Sequence, residues 1–171
     1  VVGIAMSFLW DSVSWFWETL WRSLGLTGRK GTLIVLGLDN AGKTTFLYSL
    51  QQQNADSSLR PFPPTDRPSL NEFNKFGIQF SAWDLGGHEA VRHLWEDYID
   101  NISAVFFIMD AADSERIEEA GYELDHLIGE GILKETPVAV LLNKCDLKTA
   151  LSTPEICKRI EWDRLHDEHT A

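Results

Sequence analysis

The chain carries only two cysteines in 171 residues, Cys145 and Cys157. That is too few for a disulfide framework and points to a reducing compartment. Basic charge is also short, with 15 Lys plus Arg against 26 Asp plus Glu and a net charge of −11. Such a chain repels phosphate backbones overall, which disfavours general nucleic-acid binding. The stretch over residues 6–24 is interrupted by Asp11, Glu18 and Arg22, so it is not a membrane-spanning helix. It has no small-residue cleavage site that would make it a signal peptide, and no Met-Gly start for myristoylation. Internal repeats and linkers are absent too. With 44% hydrophobic and 24% charged residues the composition is that of one globular domain.

Tryptophan is the residue in excess. Four of the seven lie between Trp10 and Trp21. At helical spacing Leu9, Val13, Phe16, Trp17, Leu20 and Leu24 share one face, flanked by Trp10 and Trp21. Asp11, Ser12, Glu18, Thr19, Arg22 and Ser23 lie opposite, while Phe8 and Trp15 stray among them, and Gly25 ends the pattern. The pattern predicts either an interfacial helix in a bilayer surface or a helix packed on its own domain, and aromatic content favours the first. Residues 6–26 are thus expected to be a membrane-associating helix, and residues 31–171 the globular domain.

Thr32-Leu-Ile-Val-Leu36 reads as a buried strand and runs into Gly37-Leu-Asp-Asn-Ala-Gly-Lys-Thr44, followed by a helix from Thr45 to Leu50. Glycines at both ends allow backbone N–H groups to turn inward on phosphate oxygens, and the helix N-terminus adds partial positive charge. Asp39, Asn40, Ala41, Gly42, Lys43, Thr44 and Thr45 are therefore expected at a phosphate, with Lys43 on the β and γ positions and the Thr44 hydroxyl on magnesium. Val138-Ala-Val-Leu-Leu142 is a second buried strand, ending in Asn143-Lys-Cys-Asp146. Asp146 suits the N1–H and 2-amino donors of guanine, Asn143 the other base edge and the phosphate loop, and the Lys144 stem the ring face. A third strand, Phe80-Ser-Ala-Trp83, leads into Asp84-Leu-Gly-Gly-His88. There Asp84 is expected at magnesium, the Gly87 N–H at the γ-phosphate, and His88 at the attacking water.

These residues resemble the small GTPases, and within them the Sar branch of the Arf/Sar family. The likeness rests on Gly37–Thr45, Trp83–Glu89 and Asn143–Asp146, and extends through Phe106–Asp113. His88 stands where the Arf branch has Gln. The resemblance implies a P-loop three-layer α/β sandwich with a mostly parallel sheet. It also implies GTP and GDP binding with Mg2+, and slow GTP hydrolysis stimulated by a GTPase-activating subunit. The further implied partners are a membrane-bound exchange factor and the inner COPII coat complex, at the cytoplasmic surface of the endoplasmic reticulum or Golgi. In the family register Thr65 is the switch I threonine at magnesium and γ-phosphate, and Asp39 lies beside that phosphate, touching magnesium through water. The alternative is a truncated or pseudo-GTPase that serves as a binding module.

Two departures accompany the likeness. Gln51–Pro64 is longer than the family pattern by about four residues, a small entropic cost. After a helix expected over residues 152–166, the chain stops where the family continues with a sixth strand, a guanine-contacting loop and a closing helix. The expectation is a bare sheet edge and an uncovered face. Arg92, His93, Trp95 and Glu96, on a helix over Glu89–Tyr98, are candidates for a partner surface.

Overall fold

The structure is a computed structural model and describes residues 2–5, 30–51, 63, 65, 67–75, 78–99, 102–133 and 136–170. The expected amphipathic helix over residues 6–26 lies outside the described residues, as does most of the Gln51–Pro64 insertion.

Among the described residues, six strands form one sheet: β1 Val2–Ala5, β2 Lys30–Leu36, β3 Ser69–Lys75, β4 Ile78–Asp84, β5 Ala104–Asp110 and β6 Val138–Asn143. Their order is β1-β6-β5-β2-β4-β3, and every pairing is parallel except the β3–β4 hairpin. The helices are α1 Lys43–Gln51, α2 Glu89–Arg92, α3 Trp95–Ile99, α4 Ile117–Gly129, α5 Thr153–Arg159 and α6 Trp162–Thr170. β5 and β6 are continuous apolar runs because both of their faces are covered. Ile34, Phe107, Val140 and Leu142 pack against residues of α3, α4, α5 and α6. Leu33, Val35, Phe106 and Leu141 face the other way, with Phe46, Leu47 and Leu50 of α1. This is the three-layer α/β arrangement that the motifs imply.

Three expectations are corrected. The edge beyond β6 is not bare: β1 pairs with it in parallel, Val2 opposite Ala139 and Ala5 opposite Leu142. Four residues ahead of the Trp-rich segment thus supply the backbone partners that β6 would otherwise lack. Nor is the sheet face uncovered, since Phe106, Ile108, Ala139 and Leu141 are all buried. The single helix expected over 152–166 is two, because Glu161 adopts a left-handed conformation with φ 52°. The bend lets Ile156 and Ile160 on one side and Leu165 on the other reach the same core. Ser152 and Glu155 do form the capping box that opens α5.

Candidate functional site

The loop after β2 is shaped by contacts that only glycine permits. Gly37 has φ 132°, and a Cβ there would lie 2.1 Å from the Ile108 carbonyl oxygen. Gly42 has φ 94°, and its Cβ would lie 2.3 Å from Asn143 Nδ2. The loop is thereby seated on β5 and the end of β6, with the unpaired N–H groups of α1 at its mouth. Lys43 folds back over the loop, 5% exposed, and its Nζ donates to the carbonyls of Gly37 at 2.9 Å and Leu38 at 2.8 Å. Burial pulls its pKa down to about 8 against the opposing charges of Asp84 and Asp39. A phosphate oxygen would add to the counter-charge on this buried ammonium.

Asp84, at the end of β4, is 2% exposed. Its Oδ2 accepts a hydrogen bond from the Thr44 hydroxyl at 2.7 Å, and the Thr44 and Thr65 hydroxyls are 3.0 Å apart. Burial raises the Asp84 pKa, with Thr44 and Lys43 acting against the rise. Among the described residues Asp84 Oδ1 is buried with no hydrogen-bond partner, a costly arrangement unless a ligand satisfies it. One carboxylate and two hydroxyls, all hard oxygen donors, fit magnesium, which keeps part of its water shell. Among the described residues, no group of three His, Cys, Asp or Glu side chains competes as a metal site. Asp39 is engaged elsewhere: its Oδ1 accepts from Arg116 at 2.6 Å, and this guanidinium holds the carboxyl below its usual range.

The Asp84-Leu-Gly-Gly-His88 turn lies directly on the phosphate loop. A Cβ on Gly87 would be 2.3 Å from the Asp39 nitrogen, and one on Gly86 would be 2.6 Å from the Thr65 carbonyl oxygen. His88 is exposed at the N-terminus of α2, its Nδ1 accepting from the Ala90 N–H at 3.4 Å. His93 and Glu96 are exposed as a partner surface requires, but Arg92 and Trp95 are not. Arg92 is 8% exposed and donates to the Gly87 carbonyl at 2.9 Å, and to Glu123 and Glu119 at 2.7 Å each. Trp95 is 1% exposed and its indole N–H donates to the Gly86 carbonyl at 2.9 Å. The helix expected over residues 89–98 is broken between them into α2 and α3, which turns both side chains inward.

At the other end of the loop, Asn143 Nδ2 donates to the Ala41 carbonyl at 2.8 Å, joining the end of β6 to the phosphate loop. Lys144, with φ 59°, pairs with Asp110 at 2.6 Å, and Asp146 is exposed beside them. Cys145 donates its thiol to the Leu142 carbonyl, and burial pushes that thiol up. Asn40, Ala41 and Thr45 complete the loop between these two ends. All of this sits at the carboxyl ends of parallel strands, where open α/β sheets bind ligands. Arg116, the residue that opens α4, carries no motif and is found only because the fold brings it to Asp39.

Residues 17–171 match the ADP-ribosylation factor family. The chain belongs to that family. The small COPII coat GTPase SAR1 of Giardia intestinalis is 41% identical over 138 residues, 81% of this chain and 70% of that protein. ADP-ribosylation factor-like protein 3 of Caenorhabditis elegans is 36% identical over 142 residues, 82% and 75% of the two chains. ADP-ribosylation factor J of Dictyostelium discoideum is 31% identical over 163 residues, 95% and 84% of the two. Among solved structures, the Arl6 BBS3 small GTPase from Trypanosoma brucei with bound nucleotide analogue GppNp matches with a TM-score of 0.73 at 26% identity, covering 82% of each chain. Arf-family small GTPases are GTP-hydrolysing switches that bind GTP and GDP with Mg2+, and they engage membranes, effectors, exchange factors and GTPase-activating proteins. Because the three relatives differ little in identity, the family is established at the level of Arf and not of one branch.

Proposed function

We propose that this chain is a Sar-type member of the family, a guanine-nucleotide switch that attaches to membrane in its GTP form and recruits a COPII-type coat between endoplasmic reticulum and Golgi. The cluster of Thr44, Thr65 and the unpaired Asp84 Oδ1 around the phosphate loop carries the switch reading. His88, together with the 41% identity to SAR1, favours the Sar branch.

In this reading Lys43 and the inward N–H groups of residues 37–45 hold the phosphates. Thr44, Thr65 and Asp84 hold magnesium, which when bound offsets charge on the phosphate oxygens. Asp39 serves that ion less directly than the family register suggests, because Arg116 occupies it. Gly87 donates its N–H to the terminal phosphate. His88 orients the attacking water, and its exposed position leaves hydrolysis slow until a GTPase-activating subunit completes the site. Asp146 selects guanine, Asn143 braces the base against the loop, and Lys144 covers the ring. Residues 6–26 supply the membrane contact, with residues 31–171 as the GTPase domain, and a membrane-bound exchange factor loads the nucleotide.

The test is phosphate release from GTP with magnesium, for the chain alone and with a GTPase-activating coat subunit. Stimulated turnover that vanishes in His88→Ala supports the reading. Tight GDP binding without turnover under either condition would instead make the chain a binding module. Flotation with liposomes in the GTP-loaded form, lost on deleting residues 6–24, tests the membrane part.

A further inference from the structure

The Gly86–Gly87 and Gly87–His88 peptides are each held by one buried side chain. The Gly86 carbonyl accepts the Trp95 indole N–H at 2.9 Å, and the Gly87 carbonyl accepts Arg92 Nε at 2.9 Å. A peptide unit is planar, with its N–H opposite its C=O. Fixing the Gly86 carbonyl therefore fixes where the Gly87 N–H points, and fixing the Gly87 carbonyl fixes the direction in which the chain enters His88.

Arg92 is itself held from the far side. Its two terminal nitrogens are bound by Glu119 and Glu123 of α4. Glu119 uses its other oxygen for Arg116 at 3.0 Å, and Arg116 reaches Asp39 of the phosphate loop. The hydrogen bonds from Arg116 and Arg92 outweigh burial in Glu119, holding it below the usual carboxylate range. Two arginines and a shared carboxylate thus connect Asp39 to the Gly87 carbonyl through side chains alone.

We propose that Arg92 and Trp95 are positioning residues for the terminal phosphate. They aim the Gly87 N–H and the start of His88, and the Glu119–Arg116–Asp39 chain keeps that aim in register with the phosphate loop. The inference rests on the reading of this site as a guanine-nucleotide switch. It predicts a defect confined to the triphosphate state, because a diphosphate does not reach Gly87.

The experiment measures affinity for GDP and for a non-hydrolysable GTP analogue, each with magnesium, in the full chain. Variants are Arg92→Gln, Trp95→Phe and Glu119→Gln; Trp95→Phe removes one N–H while keeping an aromatic core side chain. Loss of one aimed hydrogen bond should weaken analogue binding about tenfold in Arg92→Gln and Trp95→Phe. GDP affinity should stay within about twofold, so that the analogue-to-GDP ratio falls. Glu119→Gln should move the ratio in the same direction by less. The Trp95 indole N–H resonance, assigned by its absence in Trp95→Phe, should shift on adding analogue and stay in place on adding GDP. An unchanged ratio in Trp95→Phe, or equal losses for both nucleotides, overturns the proposal and leaves these contacts as packing. Wild-type protein that binds neither nucleotide overturns the switch reading instead, and this inference with it.

Discussion

The phosphate end and the base end of the site are built in opposite ways. Around Lys43 and Asp84 the charged groups are buried, and each is bonded to the chain's own backbone or hydroxyls. At the other end the Asp146 carboxylate, proposed to recognise the base, is exposed, and Asn143 is what ties that end to the loop. The contrast follows from what each end receives. Phosphate and magnesium bring charge that repays the desolvation of a buried ammonium and carboxylate. A base brings neutral donors, so its partner stays in water until the base arrives.

The comparison breaks most severely at Gly37. Gly37→Ala drives a Cβ into the Ile108 carbonyl at a φ that other residues rarely adopt. We expect destabilisation by about 3 kcal/mol or more, read by urea unfolding, and loss of all nucleotide binding. Stability within error of wild type would show that the loop is not seated on β5.

Asn143→Ala tests whether the two ends are one unit. It leaves the buried Ala41 carbonyl without its partner, at about 1–2 kcal/mol. Affinity for a phosphate-only probe such as tripolyphosphate should fall along with affinity for GDP. A loss limited to GDP would mean that the ends are independent.

Arg116→Met gives the smallest effect and sharpens the comparison by pH. Asp39 and Glu119 are held below their ordinary values of 3.8 and 4.5 in the folded chain. The stability they contribute is therefore present above those values and lost as pH falls through the depressed folded ones. Both groups are partly exposed, so the gap between wild type and variant should be under about 1 kcal/mol at neutral pH. Thermal unfolding should show the gap closing below about pH 4, and a gap unchanged across that range would show that Arg116 does not act through these two carboxylates.

The sheet core and the phosphate loop were legible because their signals are local. An apolar run, two glycines and Lys-Thr at fixed spacing determine one another within a dozen residues. Asp84 and Asn143 were legible for the same reason, each at the end of a buried strand. Arg92 and Trp95 were not, since a charged residue and an aromatic on a short helix read as a surface until α4 supplies Glu119 and Glu123. Arg116 is separated from Asp39 by 77 positions, and no pattern along the chain joins them. β1 was missed because Val-Gly-Ile-Ala is too short to announce a strand, and gains its meaning from the free edge of β6.

That edge strand also bears on membrane attachment. β1 ends at Ala5 at the carboxyl end of the sheet's rim, and β2 begins at Lys30 at the opposite end and three strands further in, roughly 14 Å across the strands and roughly 26 Å along them at ordinary strand geometry. The chain thus leaves the sheet at Ala5 and re-enters the same sheet at Lys30. A tail moored once lets its domain swivel beneath the bilayer, whereas a loop moored twice fixes which side of the domain faces the lipid. In the proposed reading, attachment through residues 6–24 would then hold the domain at a set tilt, and freeing that tilt would mean peeling β1 from β6.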